Sequence, residues 1–319
     1  MKAAVHYKYG SPEVIKIRDI EKPVPADDEL LIRVHAATVN RTDCAMLTAE
    51  PWFMRFMTGL TKPKKIISGT DFAGVVESAG NDVKLFKTGD KVFGFDDNGL
   101  SSHAEYMTFS ENNALAVIPG NISFEQAAAS IEGAHYAYNF LNKVNIKSGQ
   151  KVLVNGASGA IGSAAVQLLK NTGAKITAVC NSKNTGLMTN LGAEKVIDYE
   201  KEDFTGSGEK FDFVFDTVGK STFGKCKPVL NEGGIYISSE LGPYAQNVFY
   251  SLFTPVMGNK KVKFPMPVNR HGSVLYIKKL LEEGMFSPVI DRTYTPDKTE
   301  EAFRYVMTGE KTGNVVIAI

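Results

Sequence analysis

Along the first third of the chain, branched and aromatic residues come in short runs, each stopped by Gly, Pro or Asp. Residues 2–6, 14–18, 30–36, 71–78, 91–95 and 104–109 are such runs, and Gly10-Ser11-Pro12 and Lys87-Thr88-Gly89-Asp90 are among the stops. Runs this short predict strands, and their density predicts a compact barrel or a strongly bent sheet. Residues 51–60 break the rhythm. Trp52, Phe53, Phe56 and Met57 crowd there without alternation, which predicts a helical turn or a flap. The style changes near Ser123, which stands as an N-cap three residues ahead of Gln126, with Ala127-Ala128-Ala129 following; this is a capping box. From Lys151 strands alternate with helices: strands at 151–155, 175–180, 195–198, 211–216 and 234–239, helices at 162–172, 185–191 and 221–230. Parallel strands need crossover connections, so this half predicts a doubly wound parallel sheet. Helices at 274–283 and 298–308 and a last strand at 313–319 are expected to pack back on the first domain.

The turn after the strand at 151–155 reads Gly156-Ala157-Ser158-Gly159-Ala160-Ile161-Gly162. This is the dinucleotide fingerprint with alanine in place of its first glycine. Gly159 lets the backbone approach a pyrophosphate, Gly162 lets helix and strand pack closely, and the helix N-terminus offers free N–H groups to phosphate oxygens. A glycine motif alone is weak evidence, but here a strand precedes it, a helix follows, and a second strand comes in step. A nucleophile elbow needs its last glycine two residues after Ser158, and a P-loop needs a lysine before Ser163; neither is present. The next strand ends at Cys180, where NAD-selective sites place an acid for the ribose 2′-hydroxyl. This chain has Asn181-Ser182-Lys183-Asn184, and the first acid downstream is Glu194. A lysine and a hydroxyl attract a 2′-phosphate, so the expected cofactor is NADPH.

Length and composition set the frame. A chain of 319 residues suits two domains. Apolar residues at 43% and charged residues at 22% are those of a globular protein. A net charge of +1 gives no field to attract nucleic acid. The basic run Lys260-Lys261-Val262-Lys263 is read as a solvated loop. The three cysteines, Cys44, Cys180 and Cys226, lie far apart, which argues against a disulfide framework and a cysteine-built zinc site. With no secretory h-region and no long apolar run, a cytoplasmic protein with no membrane association is expected.

At Val39-Asn40-Arg41-Thr42-Asp43, Gly69-Thr70-Asp71-Phe72-Ala73-Gly74, Thr88-Gly89-Asp90-Lys91-Val92, Gly156 to Gln167, Leu191-Gly192-Ala193 and Thr312-Gly313-Asn314-Val315-Val316, the chain resembles the medium-chain dehydrogenase/reductase superfamily, in its zinc-independent quinone-oxidoreductase branch. The resemblance implies an α/β protein: a GroES-like β-barrel catalytic domain (1–120 and 271–319) and a Rossmann NADP-binding domain (121–270). Zinc-dependent members carry Cys where Asn40 stands and His-Glu where Thr70-Asp71 stand, so no metal site is expected. By the resemblance, Asn40 lies near the nicotinamide and the substrate oxygen, with Asp43 supporting its loop. Ser182 and Lys183 match the phosphate-binding loop, and Tyr199 the tyrosine beside the adenosine 2′-phosphate. Leu241 borders the nicotinamide, and Asn314 joins the cofactor site. Members often have Gly-Leu-Thr where this chain reads Ala134-His135-Tyr136. Tyr136 either donates a proton or narrows the pocket, and His135 reads as a packed core residue.

Without a metal, a substrate carbonyl must be polarised by hydrogen bonds, worth about 3 kcal/mol of barrier. That suits a conjugated acceptor better than a plain alcohol. The expected activity is hydride transfer from NADPH to a quinone or another small, hydrophobic conjugated carbonyl, with Trp52, Phe53 and Phe56 as an apolar wall. A 2-alkenal or enoyl-thioester reductase and a non-catalytic NADPH-binding protein stay open as alternatives. The resemblance also implies a homodimer, formed through the edge of the Rossmann sheet.

Overall fold

The short apolar runs become strands in the computed structural model, which describes residues 1–266 and 268–319. In chain order these are β1 (Lys2–Val5), β2 (Lys16–Asp19), β3 (Glu29–Val39), α1 (Arg41–Thr48), α2 (Met54–Thr58), β4 (Asp71–Ala79), β5 (Lys91–Phe95), β6 (Tyr106–Ser110), β7 (Leu115–Val117) and α3 (Phe124–Ala129). A second series follows: α4 (Glu132–Asn142), β8 (Lys151–Asn155), α5 (Ala160–Lys170), β9 (Lys175–Cys180), α6 (Thr185–Leu191), β10 (Lys195–Asp198), β11 (Phe211–Asp216), α7 (Phe223–Cys226), β12 (Leu230–Ser238), α8 (Gln246–Met257) and β13 (Lys261–Lys263). The chain ends with α9 (Arg270–Glu282), β14 (Ile290–Tyr294), α10 (Thr299–Thr308) and β15 (Asn314–Ala318). Two units result: Met1–Glu132 with Asn269–Ile319, and Gly133–Val268.

In the first unit β3 is the hub. It pairs antiparallel with β4, with β6 along its first half and with β15 along its second. The β3–β4 register shifts at Leu31/Ile32 and again at Val34/Ala36. Such irregularities bend a strand and raise its twist, so one long strand serves the strongly bent GroES-like sheet. Leu30, Ile32, Val34, Phe72 and Val92 fill one core cluster of this unit, and Val39, Leu47, Phe303 and Val315 another. The capping box at the start of α3 forms as its sequence predicts: Ser123 Oγ accepts from the Gln126 N–H at 3.2 Å, and Gln126 Oε1 accepts from the Ser123 N–H at 3.0 Å.

In the second unit six strands run parallel in the order β10-β9-β8-β11-β12-β13. Their helical crossovers make this a Rossmann-type sheet, with its topological switch point between β8 and β11, the place where such sheets receive ligands. Two sequence readings need correction here. The basic run is not a solvated loop: Lys261–Lys263 form the edge strand β13, and Val262 is buried in the core beneath it. The helix expected over 221–230 is only α7 and a 3-10 turn, because Pro228 cannot extend an α-helix and Leu230 already opens β12. Among the described residues, no helix is long and apolar enough to cross a membrane.

Candidate active site

The glycine turn leaves β8 at the switch point. Gly156 takes the left-handed backbone (φ 77°), and a Cβ there would lie 2.6 Å from that of Val218. The left-handed residue therefore precedes the position where alanine replaces the first glycine of the fingerprint. Ala157 has no positive φ, is fully buried, and gives its N–H to the Val179 carbonyl at 3.0 Å, so a methyl group fits. Gly159 caps α5 in extended geometry and has space beside it, since a Cβ there would have no neighbour closer than 3.5 Å. Gly162 has none: a Cβ would meet the Gly156 carbonyl oxygen at 2.3 Å and the Ala157 Cα at 2.6 Å. Ser158, Gly159, Ala160 and Ile161 remain half-buried along the rim of the turn. Close strand–helix packing, an open backbone and a helix N-terminus fit a dinucleotide pyrophosphate.

At the end of β9, Ser182 meets groups that a linear reading misses. Its hydroxyl donates to Asp198 Oδ2 at 2.5 Å and its N–H to Glu200 Oε2 at 3.1 Å. The Lys201 ammonium sits 2.9 Å from Asp198 Oδ2 and, with the Ser182 hydroxyl, holds that carboxyl below its usual range. Tyr199 is exposed beside them, its N–H on the Cys180 carbonyl at 3.0 Å. The signal was in the pairing: β10 lies parallel to β9 with Asp198 opposite Cys180, so the acids after β10 return to the end of β9. Leu241 lies in the loop after β12, where its carbonyl accepts from the Asn247 N–H at 3.0 Å.

In the first unit the other predicted pair comes together. Asn40 caps α1: its Oδ1 accepts from the Asp43 N–H at 3.3 Å, and Asp43 Oδ2 accepts from the Asn40 N–H at 3.0 Å. Asp43 Oδ1 also takes the Gly69 N–H at 3.0 Å, which ties α1 to the segment entering β4. Asp71 accepts from the Thr38 N–H at 2.7 Å and from its hydroxyl at 2.5 Å. The Asn40 amide nitrogen faces Thr38 Oγ1 at 3.2 Å, Thr70 Oγ1 at 3.1 Å and, at close range, Glu132 Oε2. Glu132 completes the cluster. Its Oε2 accepts from the Thr70 hydroxyl at 2.6 Å, and its Oε1 from the Thr42 hydroxyl at 2.7 Å.

Asp43, Thr70 and Asp71 are fully buried, and Asn40 and Glu132 are 7% exposed. Burial pushes Asp71 up to about 7 against its Thr38 donors. Burial, then the nearby Glu132 and Asp71, hold Asp43 well above the carboxylate range. Burial, then Asp71, push Glu132 up to about 8, while Lys311 is pressed down to about 8 by its own burial. Glu132 was not among the predicted site residues. Its signal was an acid inside the otherwise small and apolar run Ala129-Ser130-Ile131-Glu132-Gly133-Ala134. Tyr136 is half-buried on α4 in the second unit, edge-on to the fully buried His135 at 5.5 Å. Asn314 opens β15 with its backbone N–H and its amide on the Val289 carbonyl, at 2.8 and 3.0 Å.

Residues 26–125 match the alcohol dehydrogenase GroES-like domain, and residues 191–317 match the zinc-binding dehydrogenase family. A 2-methylene-furan-3-one reductase from Solanum lycopersicum is 34% identical over 99% of this chain and 79% of its own length. An NADPH-dependent alkenal/one oxidoreductase of Arabidopsis thaliana is 31% identical over the same shares. The solved quinone oxidoreductase from Coxiella burnetii superposes with a TM-score of 0.87, at 26% identity over 100% of this chain and 99% of that one. The chain belongs to the medium-chain dehydrogenase/reductase superfamily, in its quinone-oxidoreductase branch. It is an NAD(P)H-dependent oxidoreductase of that type.

For this reductase, the zinc in the name of the matched family does not fit the residues present. An amide (Asn40) and a hydroxyl (Thr70) are poor zinc ligands beside thiolate or imidazole. Among the described residues, no group of three or more His, Cys, Asp or Glu is arranged to hold a metal. The first unit also contains a cavity of about 140 Å³ whose walls include Met46, Met54, Met57, Pro63, Ile67 and Ser68. Trp52 and Phe56 pack edge-to-face at 5.5 Å and are exposed, while the methionines of α1 and α2 line the cavity. Methionine adapts to varied apolar shapes.

Proposed function

We propose that this reductase transfers hydride from NADPH to quinones, 2-alkenals or related conjugated carbonyls. The carrying observation is the hydrogen-bonded cluster of Asn40, Thr42, Thr70 and Glu132, in which Asn40 and Thr70 stand where the resemblance puts metal ligands of zinc-dependent members. Hydrogen-bond donors lower the barrier for an acceptor whose conjugation already spreads the developing negative charge, and they are too weak to form an alkoxide from a plain alcohol. Bound NADPH supplies the hydride. Asn40 and Asp43 cap α1, whose first turn carries Thr42, and the methionine-lined cavity suits an apolar chain on the acceptor. The names of the tomato and Arabidopsis relatives, a furanone reductase and an alkenal/one oxidoreductase, support this class. NADPH oxidation is expected with a quinone and a 2-alkenal, and no NADP reduction with a primary alcohol. Turnover of the alcohol–aldehyde pair alone would overturn the reading.

NADPH is the proposed preference: Ser182 and Lys183 follow β9, Tyr199 follows the parallel β10, and Lys201 pairs with Asp198 between them. Asp198 and Glu200 favour a second reading, in which NADH is also used, since carboxylates suit a free 2′-hydroxyl. Lys183→Ala is expected to raise KM for NADPH about tenfold, one charge-assisted contact, and to leave KM for NADH unchanged. Equal effects on both would remove Lys183 from the phosphate site.

A homodimer is proposed through the β13 edge. Beside that edge, Phe249, Leu252, Phe253 and Val256 make an exposed apolar stripe at i, i+3, i+4 and i+7 on α8, a helix with no charged residue. A second copy across a two-fold axis covers both stripe and edge. Light scattering is expected to give twice the chain mass, and Phe253→Glu the single mass. A monomeric parent protein would end this proposal.

A further inference from the structure

The amide hydrogens of Asn40 point inward, toward Thr38, Thr70 and Glu132. Asn40 in this arrangement holds the cluster together and is not turned toward solvent. Thr70 is fully buried, and Asn40 and Glu132 nearly so. Thr42 is the half-exposed member, and its hydroxyl rests on Glu132 Oε1 at 2.7 Å. One carboxyl group therefore joins the inward donors, through Oε2, to a hydroxyl that reaches the surface of this unit, through Oε1.

Reduction of a conjugated carbonyl needs a proton as well as a hydride. We propose that Glu132 is a positioning residue that stores this proton and hands it to the acceptor through the Thr42 hydroxyl. The inference rests on the proposed activity. When hydride adds to the β-carbon, the C=C electrons move onto the carbonyl and leave an enolate. Thr42 Oγ1–H gives its proton to that enolate, the Glu132 carboxyl gives its proton to Thr42 Oγ1, and solvent reprotonates Glu132. No other oxidant or reductant is required. Ionised Glu132 accepts from the Thr42 hydroxyl; with a proton on Oε1 the direction reverses, at one hydroxyl rotation.

The charged surroundings of Glu132 favour a stored proton. Asp71 on β4 opposes a charge there, and Glu132 in turn opposes one on Asp43 of α1. Lys311, ahead of β15, favours one, and its ammonium donates to the Gly313 carbonyl. Burial and Asp71 lift Glu132 to about 8, above the value of an unfolded glutamate. The sign follows: the folded protein holds the proton more tightly, so this group's stabilising contribution is full below about pH 4 and is lost as pH rises through about 8.

The test uses the NADPH-loaded enzyme with a 2-alkenal. In the parent enzyme kcat is expected to fall as pH rises past about 8. Glu132→Gln preserves size and hydrogen bonding but stores no transferable proton. It is expected to lower kcat about a hundredfold, abolish the alkaline limb, and leave KM for NADPH within about twofold. Thr42→Val, which keeps the side-chain shape, is expected to do the same. Retention of kcat and the limb in Glu132→Gln overturns the proposal, as does retention in Thr42→Val if the glutamine variant fails to fold. Infrared difference spectra of the NADPH complex give a reading independent of turnover. Asp43 and Asp71 also supply protonated-carboxyl bands; one further band is expected to vanish above about pH 8 in the parent and to be missing in Glu132→Gln. If no acceptor is reduced but that band is present, the proposed activity fails while proton storage stands. If the parent turns over and the band is absent, proton storage fails alone.

Discussion

Replacing Gly162 by alanine is expected to destabilise the second unit by about 2–4 kcal/mol and to abolish measurable cofactor binding, whereas Gly159→Ala is expected to keep the stability and lose only the binding. The two glycines sit three residues apart in one turn and face different surroundings. A Cβ on Gly162 would lie 2.3 Å from the Gly156 carbonyl oxygen, 2.6 Å from the Ala157 Cα and 2.8 Å from the Ala157 carbonyl carbon. All three are backbone atoms, held by β8 and by the Ala157 N–H bond to Val179, so relief requires α5 to move off the sheet. A Cβ on Gly159 would have only the Gly156 carbonyl oxygen near it, at 3.5 Å. That is ordinary contact, and in the proposed site it takes space that a pyrophosphate would occupy. Urea unfolding followed by far-UV circular dichroism, together with NADPH fluorescence titration, separates the two effects. Equal stability losses in the two variants would show that the turn does not divide its work in this way.

This contrast also shows how far the sequence could be read. Gly162 was legible because strand, turn and helix each constrain it locally, and so was the Ser123–Gln126 capping box, whose partners are three residues apart. The residues that escaped depend on distant partners. Glu132 meets Thr42 and Thr70 across 90 and 62 positions of the chain, and nothing in its own neighbourhood says where it ends up. Asp198 and Glu200 were passed over because the expected acid was sought in the segment after β9, while the parallel partner strand brings its own acids to the same end. Helix α8 was missed for a different reason: it reverses the usual pattern. Asn247 is buried, while Phe249, Leu252, Phe253 and Val256 face outward, and Pro255 lies within it. Periodicity assumes that the apolar face looks into its own chain, and a helix whose apolar face looks out gives that method no signal.

Asp216→Ala is expected to destabilise the protein by about 3–5 kcal/mol, and Asp216→Asn by about 1–3 kcal/mol with weakened cofactor binding. The fully buried Asp216 ends β11 at the switch point. Its Oδ1 accepts from the Asn155 amide and the Gly219 N–H, and its Oδ2 from the Ser221 N–H and the Tyr236 hydroxyl, each at 3.0 Å. Alanine removes both oxygens and takes this acceptor from four donors, of which those of Asn155, Ser221 and Tyr236 are buried and that of Gly219 half-buried. Asparagine keeps one oxygen. Wherever its nitrogen sits, a backbone N–H faces it, from Gly219 on one side or Ser221 on the other, and a backbone donor cannot rotate away as the Tyr236 hydroxyl or the Asn155 amide can. The loop these bonds fix supports the glycine turn: Thr217 donates to the Asn155 and Gly156 carbonyls at 2.8 and 3.2 Å, and Val218 packs where a Gly156 side chain would stand. A loosened loop therefore reaches the glycine turn, where the pyrophosphate is proposed to bind, even when the fold survives. Urea unfolding measures the first effect and NADPH titration the second. An alanine variant within about 1 kcal/mol of the parent would mean that water replaces the carboxyl group and that the loop is held by its packing alone.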